Sequence, residues 1–302
     1  MEKNTNPGDA NRITREYFDS LLVEMRHIDC VLPSTKLELY GETFSTPIMM
    51  AALSHLKGCR ENGMVEMAKA SYALNAVMWA GMGDEEELDA IVATGARTIK
   101  IVKPYADEER VIRKIAHAER SGALAVGMDL DHSFNHRGEY DNVRGFPMVP
   151  RTLEDIRRYV RSTKLPFVIK GVLSVTDALK CLEAGVKGIV VSHHHGILPY
   201  ATPPLMVLPE IVAAIGGKIP VFVDCGIMSG MDAFKAIALG ATAVSAGRIV
   251  MEPLAAEGPD GIVNVVNVMT QELAAAMART CSPDIGHVDA SLIWRNGSRV
   301  VR

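Results

Sequence analysis

One pattern recurs along this chain and limits what it can fold into: an amphipathic helical stretch, a glycine, then a short apolar run. Four copies are clear, at Gly95-Ala-Arg-Thr-Ile-Lys-Ile-Val, Gly122-Ala-Leu-Ala-Val-Gly-Met-Asp, Gly185-Val-Lys-Gly-Ile-Val-Val-Ser and Gly240-Ala-Thr-Ala-Val-Ser-Ala-Gly. The glycine suits the residue just past a helix, where φ is positive and a Cβ is strained. The apolar runs do not alternate with polar residues. Strands buried on both faces read this way, as in a parallel sheet covered by helices.

Extending the pattern gives eight candidate strands: Pro47–Leu53, Ala76–Gly81, Thr98–Val102, Leu124–Leu130, Pro166–Gly171, Gly188–His193, Pro220–Cys225 and Ala243–Arg248. Helical stretches follow them, among them Glu85–Thr94, Asp107–Ser121, Val175–Ala184, Gly230–Leu239 and Gly261–Thr280. Eight alternating units predict an α/β chain closed into a (β/α)8 TIM barrel, with a doubly wound open sheet as the alternative. A helix is expected near Arg12–Met25, before the barrel. The chain therefore reads as one domain over 1–302, with a short N-terminal helical extension over 1–35 and the barrel over 36–302. The longest connection, Asp131–Arg151, follows the fourth strand, and long loops at that face usually serve function.

The composition agrees: 302 residues with 48% hydrophobic content can fill one barrel core. A net charge of -4 without a basic stripe argues against a nucleic-acid partner. The opening MEKNTNPGDANR is polar, so no secretory signal is expected. No apolar run reaches the ~18 residues of a membrane span, so no membrane partner is expected. The five cysteines (Cys30, Cys59, Cys181, Cys225, Cys281) are odd in number and widely spaced, and read as reduced thiols of a cytoplasmic protein.

The ends of strands seven and eight carry the parts of a phosphate site, where barrels often place one. Asp224-Cys225-Gly226-Ile227-Met228-Ser229-Gly230 ends strand seven, and its glycines let backbone N–H groups approach an anion. Ser245-Ala246-Gly247-Arg248 ends strand eight and adds a guanidinium that can grip a phosphate with two hydrogen bonds.

Here the chain resembles a known family. LPFVIKGVLSVTDALKCLEAGVKGIVVSHHHG and IPVFVDCGIMSGMDAFKAIALGATAVSAGR are similar to the FMN-dependent 2-hydroxy-acid oxidases and dehydrogenases, which include glycolate oxidase and lactate oxidase. Weaker similarity runs through TPIMMAAL, GALAVGMDLD and PDGIVNVVNVMTQELAAAMARTC. The resemblance implies an FMN oxidoreductase. It places Lys170 against the flavin ring, where a cation favours the anionic reduced form. It places Ala51, Ala52 and Leu53 on a loop that meets the flavin, and Ser192, Asp224, Gly226, Met228, Gly247 and Arg248 around the cofactor. His194, in Ser192-His193-His194-His195-Gly196, falls on the catalytic base, and Asp129 on the carboxylate that pairs with it. The resemblance further implies a homo-oligomer, a tetramer.

The pattern departs at the substrate end. Ile197 and His132 stand where the family has arginines, and Val102 where it has a tyrosine. Lys100 replaces a flavin-binding glutamine, and Gly127 a threonine. A buried carboxylate without a charged partner costs several kcal/mol to bind. The cations and histidine available to replace the clamp are His132, Arg144 and Lys103, with Lys100 near the flavin. The expected chemistry is removal of a proton by His194 and of a hydride equivalent by FMN, from a 2-hydroxy acid or a related hydroxylated compound. The expected partners are that small molecule, an electron acceptor the residues do not specify, and copies of the chain. The alternatives are an FMN enzyme of this barrel class without net oxidation, as in type 2 isopentenyl diphosphate isomerases, and a flavin- or phosphate-ligand-binding protein without turnover. No metal is expected at His193-His194-His195, because adjacent strand residues point to opposite faces.

Overall fold

The computed structural model describes residues 6–301. Eight parallel strands close into a barrel: Ile48–Leu53, Met78–Ala80, Thr98–Val102, Ala125–Asp129, Phe167–Val172, Ile189–Val191, Val221–Val223 and Ala243–Ala246. The eighth pairs with the first, Val244 opposite Ile48, so no sheet edge is left open. All eight expected strands are present, several of them shorter at one or both ends. The glycines of the four repeats have positive φ of 87°, 81°, 85° and 101°, as the helix-to-strand turn requires.

The barrel interior is a packed core. Trp79 and Phe222 meet edge to face at 5.3 Å, among Met49, Val77, Ile99, Val168 and Val190. A hairpin, Leu37–Leu39 with Glu42–Phe44, lies before the first strand and sends Leu37, Leu39 and Phe44 into the same cluster. It plugs the end where the strands begin, and the Tyr40 hydroxyl donates to the Lys187 carbonyl just before strand six. That leaves the opposite end, where the strands finish, for a site. No helix among the described residues is long and apolar enough to cross a membrane.

Two expectations at the N-terminus are corrected. The first helix runs Ala10–Ser20, capped by the Asp9 side chain on the Asn11 N–H, and stops short of Met25. It ends because the chain turns extended at Leu21 and Leu22–Val23 pairs antiparallel with Ile293–Arg295 near the C-terminus. Cys30 and Cys281 are not free thiols but a disulfide across a sequence separation of 251 residues. The extension folds back over the end of the last long helix, Pro259–Ala278, and the Arg26 N–H donates to the Arg279 carbonyl. Spacing in sequence carries no sign of that approach. Cys59, Cys181 and Cys225 are free.

Candidate active site

The register of the fourth and fifth strands sets Lys170 beside Asp129 at the end of the barrel where the strands finish. The Lys170 ammonium lies 3.4 Å from Asp129 Oδ1 and 3.4 Å from Asp224 Oδ2, joining the ends of strands four, five and seven. Lys103, just past strand three, donates to Asp129 Oδ2 at 2.6 Å. All four side chains are buried. Burial alone would neutralise these groups, but each charge faces its opposite. Burial raises the Asp129 carboxyl, yet Lys170 and Lys103 hold it well below the usual carboxylate range. Burial lowers the Lys170 ammonium, yet Asp129 and Asp224 raise it above the ordinary lysine value. Lys170 is therefore a fixed cation.

His194 follows strand six in a turn where His194, His195 and Gly196 take successive positive φ of 47°, 60° and 83°. The Ser192 hydroxyl accepts the His194 N–H at 3.0 Å and helps to hold the turn. The three histidine rings separate. His193 bonds Thr14 of the first helix at 2.8 Å, and His195 bonds Asn11 of that helix at 2.9 Å. His194 points inward, with Nδ1 2.8 Å from Asp131 Oδ1 and 3.6 Å from Asp129 Oδ1. Its Nε2 lies 3.0 Å from Nε2 of His132.

Beside His194 is a cavity of about 550 Å³, within the ~300–1,000 Å³ typical of cofactor sites. Ala51, Ala52, Leu53, Lys170, Asp224, Gly226, Met228, Gly247 and Arg248 all line it, from the ends of strands one, five, seven and eight. Arg248 is the first residue of the helix Arg248–Glu257, and Gly226 has a φ of 93° in the loop that leads to the helix Gly230–Ala238. A guanidinium, glycine-lined backbone and two helix starts at one end suit a phosphate. The buried ammonium of Lys170 and the apolar Ala51–Leu53 loop suit a flavin ring.

Other expected residues lie elsewhere. Ser192 is buried behind Lys170, 3.4 Å from its ammonium, and does not line the cavity. The Lys100 ammonium donates to the Gly81 carbonyl at 2.5 Å, turned away from the cavity wall. Arg144 borders a separate cavity of about 590 Å³ with His55, Asp84 and Glu87. Val102 is 1% exposed and belongs to the core, whereas Ile197 is 39% exposed. Gly127 faces the Val168 carbonyl so closely that a Cβ would stand 2.2 Å from it, leaving no room for a threonine without a shift.

Two carboxylates escaped the sequence reading: Asp131, on His194, and Asp141, whose Oδ2 lies 3.2 Å from His132 Nδ1. Asp131 had a signal. In Asp129-Leu130-Asp131 the spacing of two puts both carboxylates on one side of an extended strand end. Asp141 had none, because it reaches His132 only through the folding of the long loop after strand four. That loop returns in a hairpin, Asn142–Val143 with Phe146–Pro147.

With this geometry the comparisons with known proteins become specific. The profile of the FMN-dependent dehydrogenase family matches residues 1–156 and 150–295. The chain belongs to that family. A peroxisomal (S)-2-hydroxyacid oxidase of Arabidopsis thaliana is 30% identical over 93% of this chain and 85% of its own length. A 4-hydroxymandelate oxidase of Amycolatopsis orientalis is 30% identical over 84% of this chain and 80% of its own. Among solved structures, a mandelate oxidase variant with an FMN adduct superposes with a TM-score of 0.88 at 28% identity, covering 96% of this chain and 92% of that one. The protein is an FMN-dependent oxidoreductase, and the cavity beside Lys170 has the donors its cofactor needs.

Proposed function

We propose that this enzyme oxidises a 2-hydroxy acid or a related hydroxylated compound, with His194 as the base. The observation that carries this is the inward imidazole of His194, held by Asp131 on one side and placed beside the cavity on the other. Asp131 Oδ1 is an acceptor, so Nδ1 carries the proton and Nε2 keeps its lone pair for the proton of a substrate hydroxyl. The imidazolium that results sits near Asp131 and Asp129, which stabilise its charge. Lys170 adds a fixed positive charge on the cavity wall, where it favours negative charge on a reduced flavin. FMN, when bound, would supply the acceptor for the hydride on the carbon that bears the substrate hydroxyl, which becomes a carbonyl. Arg248, Gly226 and Gly247 would hold its phosphate, and Ala51 to Leu53 its ring.

The substrate end supports a compound other than glycolate or L-lactate. Lys103 is engaged by Asp129, and Arg144 lies at another cavity, so neither is free to clamp a small carboxylate beside His194. Of the three expected replacements for the clamp, His132 stands against His194, 3.0 Å from its Nε2. The test is anaerobic stopped-flow reduction of the flavin with a panel of hydroxy acids. A true substrate should reduce His194→Ala about 10²–10⁴-fold more slowly than wild type, the usual range for acid–base catalysis. Glycolate and L-lactate should be poor reductants. Undiminished reduction of the His194 variant ends the assignment of the base.

The same reading includes a cytoplasmic homotetramer. The resemblance of the chain to its family supports the assembly; for the compartment, three free cysteines stand against one disulfide, Cys30–Cys281. Light scattering that shows a monomer at every concentration refutes the assembly.

A further inference from the structure

The His132 and His194 rings meet in a way that calls for a proton or a metal ion between them. Their planes cross at 87° with centroids 4.2 Å apart, and the two Nε2 atoms face each other at 3.0 Å. The hydrogen-bond network assigns both tautomers. His194 Nδ1 lies 2.8 Å from Asp131 Oδ1, and His132 Nδ1 lies 3.2 Å from Asp141 Oδ2. Lys170 also approaches His194 Nδ1, at 3.2 Å. Its hydrogens are already shared among Ser192, Asp129 and Asp224, whereas Asp131 Oδ1 needs a donor and has His194. Both Nδ1 atoms therefore carry a proton, and each donates it to a carboxylate. Both Nε2 atoms are then lone pairs, directed at one point.

Two imidazoles held through Nδ1 by carboxylates, with Nε2 atoms converging, match how proteins present histidine to a metal. The surrounding charge favours a cation as well. Asp129, Asp131 and Asp141 outnumber Lys103 and Lys170, and Asp131 Oδ2 is buried without a hydrogen-bond partner. Asp131, His132 and His194 each bring one donor atom within 4.8 Å of the others. Zinc–nitrogen bonds of about 2.0–2.1 Å at a tetrahedral angle set the nitrogens roughly 3.3 Å apart. The pair need open by only a few tenths of an ångström. This cluster is drawn from two loops and uses one residue of the triple-histidine run, so the objection to that run does not apply.

The geometry points to a binding site for a zinc-class divalent cation between His132 and His194, with Asp131 and Asp141 orienting the rings, that competes with substrate for the His194 lone pair. The competition rests on His194 being the base; the binding does not.

The test is calorimetric titration of the FMN-loaded enzyme with Zn²⁺ in a non-chelating buffer, with anaerobic flavin reduction measured in parallel. Wild type should take up one equivalent that His132→Ala loses. Asp141→Asn should bind about 10–100-fold more weakly, as for other carboxylates that orient metal-bound histidines. The flavin spectrum of each variant reports that it is folded and loaded. Zn²⁺ should slow flavin reduction in wild type, and a chelator should restore it. Absence of uptake, or uptake that persists in both variants, overturns the site and leaves His194 as base untouched. Uptake lost with His132 but without any slowing keeps the site and removes the base.

Discussion

His194 Nδ1 lies 2.8 Å from Asp131 Oδ1, and the strand carboxylate Asp129 is 0.8 Å more distant, at 3.6 Å. Asp129 is instead gripped by Lys103 at 2.6 Å. The two carboxylates thus divide the work. Asp131 fixes the imidazole, and Asp129 balances two buried lysines.

That division predicts different defects. Asp131→Asn keeps an oxygen for Nδ1 but removes the charge beside the imidazolium. Hydrogen bonds to charged groups contribute about 1.5–3 kcal/mol, so flavin reduction should slow by roughly 10–100-fold. Asp129→Asn leaves Lys103 without its carboxylate and Lys170 with Asp224, and breaking a buried ion pair in this way costs about 3–5 kcal/mol of stability. Its unfolding midpoint in urea should fall well below that of Asp131→Asn. If Asp129→Asn proves the slower in reduction and the more stable of the two, the roles are reversed.

The phosphate end makes a separate prediction. Among the described residues Arg248 has only a 3.4 Å hydrogen bond to Asn11, so its guanidinium can turn to an anion in the cavity. Arg248→Ala should weaken FMN binding by about 1.5–3 kcal/mol. His194→Ala should bind FMN nearly as wild type does. Fluorescence titration of apo-protein with FMN compares them, and equal affinity of the Arg248 variant and wild type counts against the phosphate role.

The barrel was legible because its signals are local and repeated. A glycine such as Gly185 marks four of the helix-to-strand turns, and runs such as Ile189–Val191 lie buried on both faces. The residues that line the cavity beside Lys170 were placed for the same reason, since strand ends such as Asp224 and Arg248 are fixed once the strands are. What escaped depends on contacts between distant segments. Lys100 lies on the strand where its position in the pattern put it, but its long side chain swings to the Gly81 carbonyl. Asp141 meets His132 through a loop whose path no periodicity encodes. The end of the first helix is hidden in the sequence because apolar Leu21 to Val23 fit a helical stripe as well as they fit the strand against Ile293.

The disulfide offers a direct count. With Cys30 and Cys281 paired, thiol titration of denatured, unreduced protein should find three free groups, Cys59, Cys181 and Cys225, and five after reduction. Because the bond closes a long loop, Cys30→Ser with Cys281→Ser should lose about 2–4 kcal/mol of stability. Five reactive thiols before reduction, in protein handled without reductant, would show that the pair does not form.

Lys100 gives a prediction about pH. Burial, and then the nearby Lys114 ammonium, bring its pKa down from 10.5 to about 8. Lys100 is 4% exposed, and among the described residues its ammonium has one hydrogen bond, to the Gly81 carbonyl, and no carboxylate in salt-bridge contact. In the unfolded chain the group keeps its ordinary value, so between about 8 and 10.5 the unfolded state binds more protons than the folded state. Stability from this group must therefore rise with pH across that window and be flat below it. Below the window the buried charge costs on the order of 3 kcal/mol. Lys100→Met keeps the stem and removes the charge. It should be more stable than wild type at neutral pH, and the difference should shrink as pH climbs toward about 10. Urea unfolding of both proteins across that range measures the difference directly. A Lys100→Met protein that is less stable than wild type at neutral pH, or a gap that widens with pH, would mean that the ammonium is stabilised in the fold by a partner stronger than the Gly81 carbonyl.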